Sequence, residues 1–551
     1  MMDRMSVRGT PHVSTWAQRA ARGRPQLAWP PTWSGPAWGA IGVTGLFIAL
    51  TCWWISQDGG MPYNDAALHI ARAFTFHDEL AAGDWSAPFA HRTIYPPLTP
   101  LVGALGIAVG GRTVGAPIVI ENLVYVPLLA LACYRIARLA YGVTAGLLAV
   151  VFALGAPLVI EQFHVFMLDA PLAALVAVVV WLVLESDRFR RTDLAVAAGL
   201  VAGLGLISKQ SLPLYLPGLL LVVLMRDGGW RNWRGLALFA LAALLVAAPW
   251  YAYHASNLDV FAGAAAGART VPLLARPALF SEANATWYFY ALANSLLFVP
   301  LLAFATIGLV HAARSTVRAP RQSSVVPELL GGLVGAWLAI TLVPHHDVRY
   351  TLPLIVYLAV LGTGWIARMR PSVPRAAALV ALGLAVVATT LGATFGVGSS
   401  SSEPLPGNRA APRGEGVMPL SGVTVYSNHN YMVSGPREDS GVLDLLKELR
   451  ADGIRRVVWF EEWAPLWDLD FNSHGLIALA RIARLSFPLG TIDLGKIDPR
   501  AAVLIPEKAL DKAPPCIRLR DGRGLWIRLG NPWRKGARDY CPRLSPRLYG
   551  P

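Results

Sequence analysis

The sequence predicts a mainly α-helical, polytopic membrane protein of about eleven spans with a small extracytoplasmic α/β domain at its C-terminus. Three observations carry this expectation. Of 551 residues, 54% are apolar and only 15% are charged, with a mean hydropathy of +0.46, too apolar a balance for a soluble chain of this length. Apolar runs near the length of a bilayer crossing recur up to about residue 398. Beyond that point the composition turns to a Ser, Pro and Gly linker and then to short alternating strand-like and helix-like pieces. The 51 glycines and 41 prolines follow no collagen period, and four cysteines exclude a disulfide framework. The net charge of +14 sits in short basic runs between apolar stretches, which indicates topology and no nucleic-acid partner.

Residues 1–36 form a basic tail with Arg4, Arg8, Arg19, Arg22 and Arg24, and the apolar run from about 38 to 55 lacks a cleavage site after it. An uncleaved first helix with a cytoplasmic N-terminus follows. Further runs lie near 116–134, 143–160, 168–184, 193–208, 211–225, 235–253, 288–311, 327–343, 351–367 and 375–397. Alternate connections hold Arg135 and Arg138, then Arg188, Arg190 and Arg191, then Arg226, Arg231 and Arg234, then Arg314, Arg318 and Arg321, then Arg368, Arg370 and Arg375. The positive-inside rule places these on the cytoplasmic side, and the opposite connections, including 56–95 and 254–287, outside. This register makes 97–110 an interfacial or re-entrant segment. The spans occupy 37–398, the linker 399–422 and the extracytoplasmic domain 423–551, where Cys516 and Cys541 sit in an oxidising compartment and are able to pair. The inner membrane is the expected location.

Ionisable residues beside apolar spans are costly, about 2.5–3.5 kcal/mol at a helix centre, so those that persist need an escape to water or a role. Asp65, Asp169, Lys209, His345, His346 and Arg349 come from distant parts of the chain, yet the topology puts all of them at the outer face. Asp65 is either a carboxylate complementing a helix N-terminus behind Asn64 or a general base at the water boundary. Asp169, followed by Pro171, reads equally as a helix-start residue. Lys209 either snorkels to the interface or meets a lipid phosphate, and Arg349 admits the same two roles with Asp347 as a salt-bridge partner. Adjacent His345 and His346 without a third spaced ligand are weak as a metal site. The chain has no Walker A loop, no dinucleotide glycine fingerprint, no His-Glu-x-x-His and no Gly-x-Ser-x-Gly, which favours a lipid-borne or transported substrate. The sequon Asn284-Ala285-Thr286 is compatible with an external loop.

In order along the chain, Asn64-Asp65, Tyr95-Pro96-Pro97-Leu98, Met167-Leu168-Asp169-Ala170-Pro171-Leu172, Ser208-Lys209-Gln210 and Arg349-Tyr350-Thr351-Leu352-Pro353-Leu354 resemble the GT-C membrane glycosyltransferases of the family-39-like type, which includes protein O-mannosyltransferases and lipid A aminoarabinose transferases. The resemblance implies transfer of a sugar from a polyprenyl-phosphate carrier, with inversion, to a protein, lipid or glycan acceptor. It implies Asp65 as the catalytic carboxylate and Asp169 as a second acid at the sugar or acceptor. Lys209, Arg349, Tyr95, His345 and His346 would meet the lipid phosphate, and no metal cofactor is required, a divalent ion remaining compatible. Two departures stand out: Ala66 where some relatives have a second acid, and Tyr95 where aminoarabinose-transferase-like enzymes have lysine before Pro-Pro-Leu. A transporter or lipid flippase is the rival expectation, since many spans and scattered charges suit both.

Overall fold

The computed structural model describes residues 35–91, 93, 95–255, 279–318, 324–343, 346–398, 401–404, 422–428, 435–459, 472–487, 498–506, 517–520 and 524–529. Most of the basic tail, most of the 254–287 connection, most of the linker, His345, Cys516 and Cys541 lie outside the described residues.

Helix α1 (Gly35–Gln57) leads to α2 (Asn64–Ala81) and α3 (Leu98–Gly110). Then come α4 (Gly115–Tyr141), α5 (Val143–Leu154), α6 (Pro157–His164), α7 (Asp169–Glu185), α8 (Thr192–Leu206) and, after a 3-10 turn at Leu212–Tyr215, α9 (Pro217–Met225). The bundle continues through α10 (Trp233–Tyr253), α11 (Glu282–Ala291), α12 (Phe298–Arg318), α13 (Val326–Leu342), a 3-10 turn at Val348–Leu354, α14 (Ile355–Arg368) and α15 (Val373–Phe395). Gly142, at φ +97, closes α4 and opens α5 with a backbone that an L side chain strains to adopt.

Among the described residues six helices are long and apolar enough to cross a bilayer, or seven if the α5–α6 pair is one span. That is fewer than the expected eleven. The pair, expected as one straight run over 143–160, bends by 61° where Pro157 opens α6 after extended Ala156. The run at 211–225 breaks into a 3-10 turn and a nine-residue helix. The 97–110 segment is a helix of 13 residues, about 20 Å long and short of a crossing.

Helix α7 is the axis of the bundle: it is buried on every side, as its nearly uninterrupted apolar sequence requires. Helices α1 and α15 instead expose apolar side chains such as Leu46 and Leu384, the face a lipid-bathed helix presents. Helices α9 and α13 cross at Gly218 and Gly335, where a Cβ on Gly335 would lie 2.4 Å from the Gly218 Cα. The two ends of α7 differ in charge. At its C-terminal end Glu185 accepts from Arg135 and from the Trp181 indole, while Arg188 and Arg226 converge on buried Glu328 at 3.3 and 2.7 Å. Asp169 stands at the other end, about 25 Å away along 17 residues.

Past the bundle, β1 (Ser401–Pro404) and β2 (Gly422–Tyr426) form an antiparallel ribbon. Strand β2, at the start of the expected C-terminal domain, therefore pairs outside the C-terminal sheet, and its Thr424 hydroxyl bonds Asn294 of the bundle at 2.9 Å. That sheet comprises β3 (Val457–Trp459), β4 (Ala502–Pro506), β5 (Ile517–Arg518) and β6 (Gly524–Leu529) in the order β3-β4-β6-β5, with β3 and β4 parallel and the other pairs antiparallel. Helices α16 (Val442–Ala451) and α17 (Ser473–Ile482) accompany it. Ile70 and Phe74 on α2 share one apolar core with Leu476 and Leu479 on α17. The helix that carries Asp65 is thus packed between the membrane bundle and the C-terminal segment.

Candidate functional site

Asp65 occupies the first turn of α2, directly after Asn64, whose φ of +44 turns the backbone into the left-handed region. The cap position falls on Tyr63 rather than Asn64, and no side-chain capping bond forms there. Instead Arg349, 284 residues further on, donates from Nη1 to Asp65 Oδ2 at 3.1 Å. The same guanidinium is held by Asp347, its Nε lying 3.0 and 2.9 Å from the two carboxylate oxygens. Burial by itself raises the Asp65 pKa, but the charge of Arg349, with His69 and the Arg349 hydrogen bond, reverses that and leaves it below the ordinary carboxylate value. The upward shift that desolvation alone predicts is therefore overturned by a cation the local sequence does not reveal.

Asp169 opens α7 without a capping bond and accepts from Lys209 Nζ at 2.6 Å, with side chains only 2% and 11% exposed. Asp169 does stand at the helix start but makes no cap, and Lys209 is held in this buried pair rather than snorkelling. Asp169 Oδ2 is buried with no hydrogen-bond partner among the described residues. The Lys209 ammonium also lies 5.4 Å from the Tyr350 ring, next in sequence to Arg349. The Tyr95-Pro96-Pro97-Leu98 motif docks on the same segment: Leu98 N–H donates to Ile207 O at 3.0 Å, and the Thr99 and Ser208 hydroxyls are 2.9 Å apart.

Two side chains absent from the sequence-based list complete the group. His69 and Arg72 follow Asp65 at i+4 and i+7, so one face of α2 presents all three, a spacing visible in the sequence. His69 meets the Tyr95 ring edge-on at 5.0 Å, and Arg72 lies 5.9 Å from that ring's centre. Burial, helped by the charges of Arg72, Lys209 and Arg349 and opposed by Asp65, pushes the His69 pKa down to about 3, so it is neutral near pH 7. Burial, with Asp65 beside it, raises the Tyr95 phenol, which stays protonated and can donate.

His346 packs against Trp287 and Tyr288, with ring centres 5.2 Å from each. Among the described residues no group of three or more His, Cys, Asp or Glu side chains is arranged to hold a metal ion. Asn284 is 1% exposed and donates to Leu279 O and Thr341 O, so the amide of the sequon, which as sequence is compatible with an external loop, is a buried structural one on α11.

Asp65, Tyr63, Gln162, Met167 and Arg349 line a cavity of about 10 Å³, room for about one water. Admission of anything as large as a sugar requires these side chains to part. A larger cavity of about 590 Å³ lies between α1, α3, α4 and α16, and no residue expected at the site lines it. The charged cluster, unlike the larger cavity, holds the acids and cations singled out in the sequence, joined across 40 and 284 residues.

A family model described as dolichyl-phosphate-mannose-protein mannosyltransferase matches residues 95–253, a stretch that includes Tyr95, Asp169 and Lys209. The resemblance to family-39-like GT-C membrane glycosyltransferases is borne out there. Two solved structures are similar: ArnT from Cupriavidus metallidurans in the apo state, at 21% identity and TM-score 0.48, and the same protein bound to undecaprenyl phosphate, at 20% and 0.45. Each likeness covers 63% of this chain, and the chain spans 63% of the length of each ArnT chain. No curated protein matches.

Proposed function

We propose, from the family match over residues 95–253, that the chain is an integral membrane glycosyltransferase that moves a sugar from a polyprenyl-phosphate carrier to an extracytoplasmic protein, lipid or glycan acceptor. The observation that carries the reading is the convergence of Asp65–Arg349–Asp347 and Lys209–Asp169 at one end of the bundle, opposite the arginine-rich connections. That arrangement supports an outward-facing site, with a cytoplasmic N-terminus and a C-terminal segment on the side of the site.

In the proposed step an acceptor oxygen attacks the anomeric carbon from the face opposite the phosphate. The new C–O bond forms as the bond to the phosphate oxygen breaks, the electron pair leaves with polyprenyl phosphate, and the configuration inverts. Asp65, ionised through its contact with Arg349, hydrogen-bonds an acceptor hydroxyl, orients it in line and takes its proton as bond formation acidifies it. A carboxylate with a lowered pKa is a weak base, so orientation supplies more of its effect than proton affinity does. Lys209 and Arg349 add positive potential where charge grows on the leaving phosphate. The free oxygen of Asp169 suits a sugar hydroxyl. The step is written without a metal ion, since a departing monophosphate carries less charge than a pyrophosphate.

The test is incubation of the purified protein with a panel of polyprenyl-phosphate sugars, followed by mass measurement of released lipid and modified acceptor. Donor-dependent release of polyprenyl phosphate supports the reading. No release from any donor, together with movement of intact carrier across a vesicle bilayer, replaces it with lipid transport.

A further inference from the structure

Two of the three cations at the candidate site, Lys209 and Arg349, are committed to carboxylates. Lys209 holds Asp169 at 2.6 Å, and Arg349 holds Asp347 and Asp65. Arg72 is different. Its Nη2 donates to the neutral Thr93 hydroxyl at 2.6 Å, its Nη1 is shielded from water with no hydrogen-bond partner among the described residues, and no carboxylate there lies within ion-pair range of it. A guanidinium withdrawn from water without a counter-charge is costly, and the cost disappears when an anion arrives. The local balance points the same way: among the described residues the three carboxylates Asp65, Asp169 and Asp347 pair with two cations, Lys209 and Arg349, a surplus of negative charge that repels a phosphate unless a further cation is near.

Position supports the same conclusion. Arg72 lies on the face of α2 that carries Asp65 and His69, and its guanidinium is 5.9 Å from the ring of Tyr95, which offers a hydroxyl but no charge. Thr93 fixes the geometry, accepting from Arg72 and from the Tyr95 N–H at 3.2 Å. The planar fork, with one edge anchored and the other free, suits a phosphate oxygen.

We propose that Arg72 is the phosphate-binding residue of this site, its free guanidinium edge meeting the phosphate of the lipid carrier beside the Tyr95 hydroxyl. This deepens the glycosyltransferase reading and rests on it for the identity of the lipid.

The test measures binding to the purified full-length chain of three probes: undecaprenyl phosphate, the uncharged undecaprenol and inorganic phosphate. Arg72→Gln is expected to weaken undecaprenyl phosphate binding by about tenfold or more and leave undecaprenol binding unchanged. Arg72→Lys is expected to retain part of the loss, and Tyr95→Lys in the Arg72→Gln background to restore binding by returning a cation to the same place. Inorganic phosphate is expected to compete only weakly, because the site takes a lipid-borne phosphate; strong, Arg72-dependent binding of inorganic phosphate alone overturns the lipid assignment. Unchanged undecaprenyl phosphate affinity in a folded Arg72→Gln protein, or equal loss of both lipids in Arg72→Lys as well, overturns the proposal. Asp65→Asn separates the two readings, since it should bind undecaprenyl phosphate at least as tightly as the unaltered chain while losing transfer. Arg72-dependent binding with no transfer by the unaltered protein removes the enzyme reading alone, and transfer indifferent to Arg72 removes this proposal alone.

Discussion

Arg437 grips Asp58 with one edge of its guanidinium, Nε to Oδ1 at 3.0 Å and Nη2 to Oδ2 at 2.8 Å, and so fastens the C-terminal segment to the end of α1 seven residues before Asp65. The grip continues along the connecting loop. Arg437 Nη1 donates to Met61 O at 3.0 Å, Gly59 N–H donates to Arg437 O at 2.9 Å, and a Cβ on Gly60 would lie 2.2 Å from the Arg437 Nε. The backbone that delivers Asp65, including left-handed Asn64, is therefore shaped from the C-terminal side.

Arg437→Ala should strip this loop of its anchor and leave Asp58, 10% exposed, without its partner. Breaking such a pair costs about 3 kcal/mol. A double-mutant cycle with Asp58→Asn, read by thermal unfolding in detergent, should return a coupling of at least 1 kcal/mol, about the net value of one charged hydrogen bond. Additive single effects would mean the pair contributes nothing beyond its individual residues.

Asp65→Asn keeps the shape of the side chain and removes its charge. Membrane insertion should be unchanged and sugar transfer should fall by about a thousandfold. Full transfer in this variant refutes the assigned role of Asp65.

The lowered pKa of Asp65 sets a direction for the pH dependence of kcat/KM. Because Arg349 holds the carboxylate ionised below its ordinary 3.8, the profile should stay flat from neutrality down to about pH 5. Arg349→Gln removes the main lowering influence and leaves burial and Asp347, which raise the pKa, opposed by His69 alone. The acidic limb should then move upward in pH. A variant that is merely less well folded would scale the whole profile without displacing it.

His69 predicts a stability effect of its own. Its folded pKa of about 3 lies below the unfolded 6.5, so between these values the unfolded chain binds a proton that the folded chain refuses. Stability should be full above about pH 6.5 and decline as pH falls towards 3. His69→Gln should flatten that decline in melting temperatures, and an unchanged slope would show that other groups govern it.

Lys209 and Asp169 should behave as a unit. Lys209→Met leaves a buried carboxylate alone and should cost about 3 kcal/mol, while the double variant with Asp169→Asn should recover most of it. If Asp169→Asn fails to rescue the melting temperature of Lys209→Met, the 2.6 Å pair is not what stabilises this end of the bundle.

Much of the candidate site was legible in the chain, and what was missed has a pattern. Asp65, Asp169, Lys209 and Arg349 stood out because a charge beside an apolar run is expensive wherever it occurs, and all four meet at one end of the bundle. Arg72 escaped notice because it sits in the polar segment between α1 and α3, where an arginine is unremarkable until its lack of a carboxylate is seen. Asn284 misled for the converse reason: a sequon says nothing about whether its amide is already buried and bonded. Among the described residues fewer helices reach crossing length than the sequence leads one to expect, because apolar content alone does not distinguish α1, a single helix of 23 residues, from the 211–225 run broken at Pro213 and Pro217.

By itself the sequence determined that this is a helical membrane protein, that basic connections gather at one end, and that a few acids and cations collect at the other. Hydropathy and charge placement are additive properties of short segments, so they survive without coordinates. Only the tertiary structure decided which charge neutralises which. Arg349 reaches back 284 residues to Asp65 and Lys209 reaches 40 to Asp169, and electrostatic pairing depends on distance in space, a quantity no local stretch of chain contains.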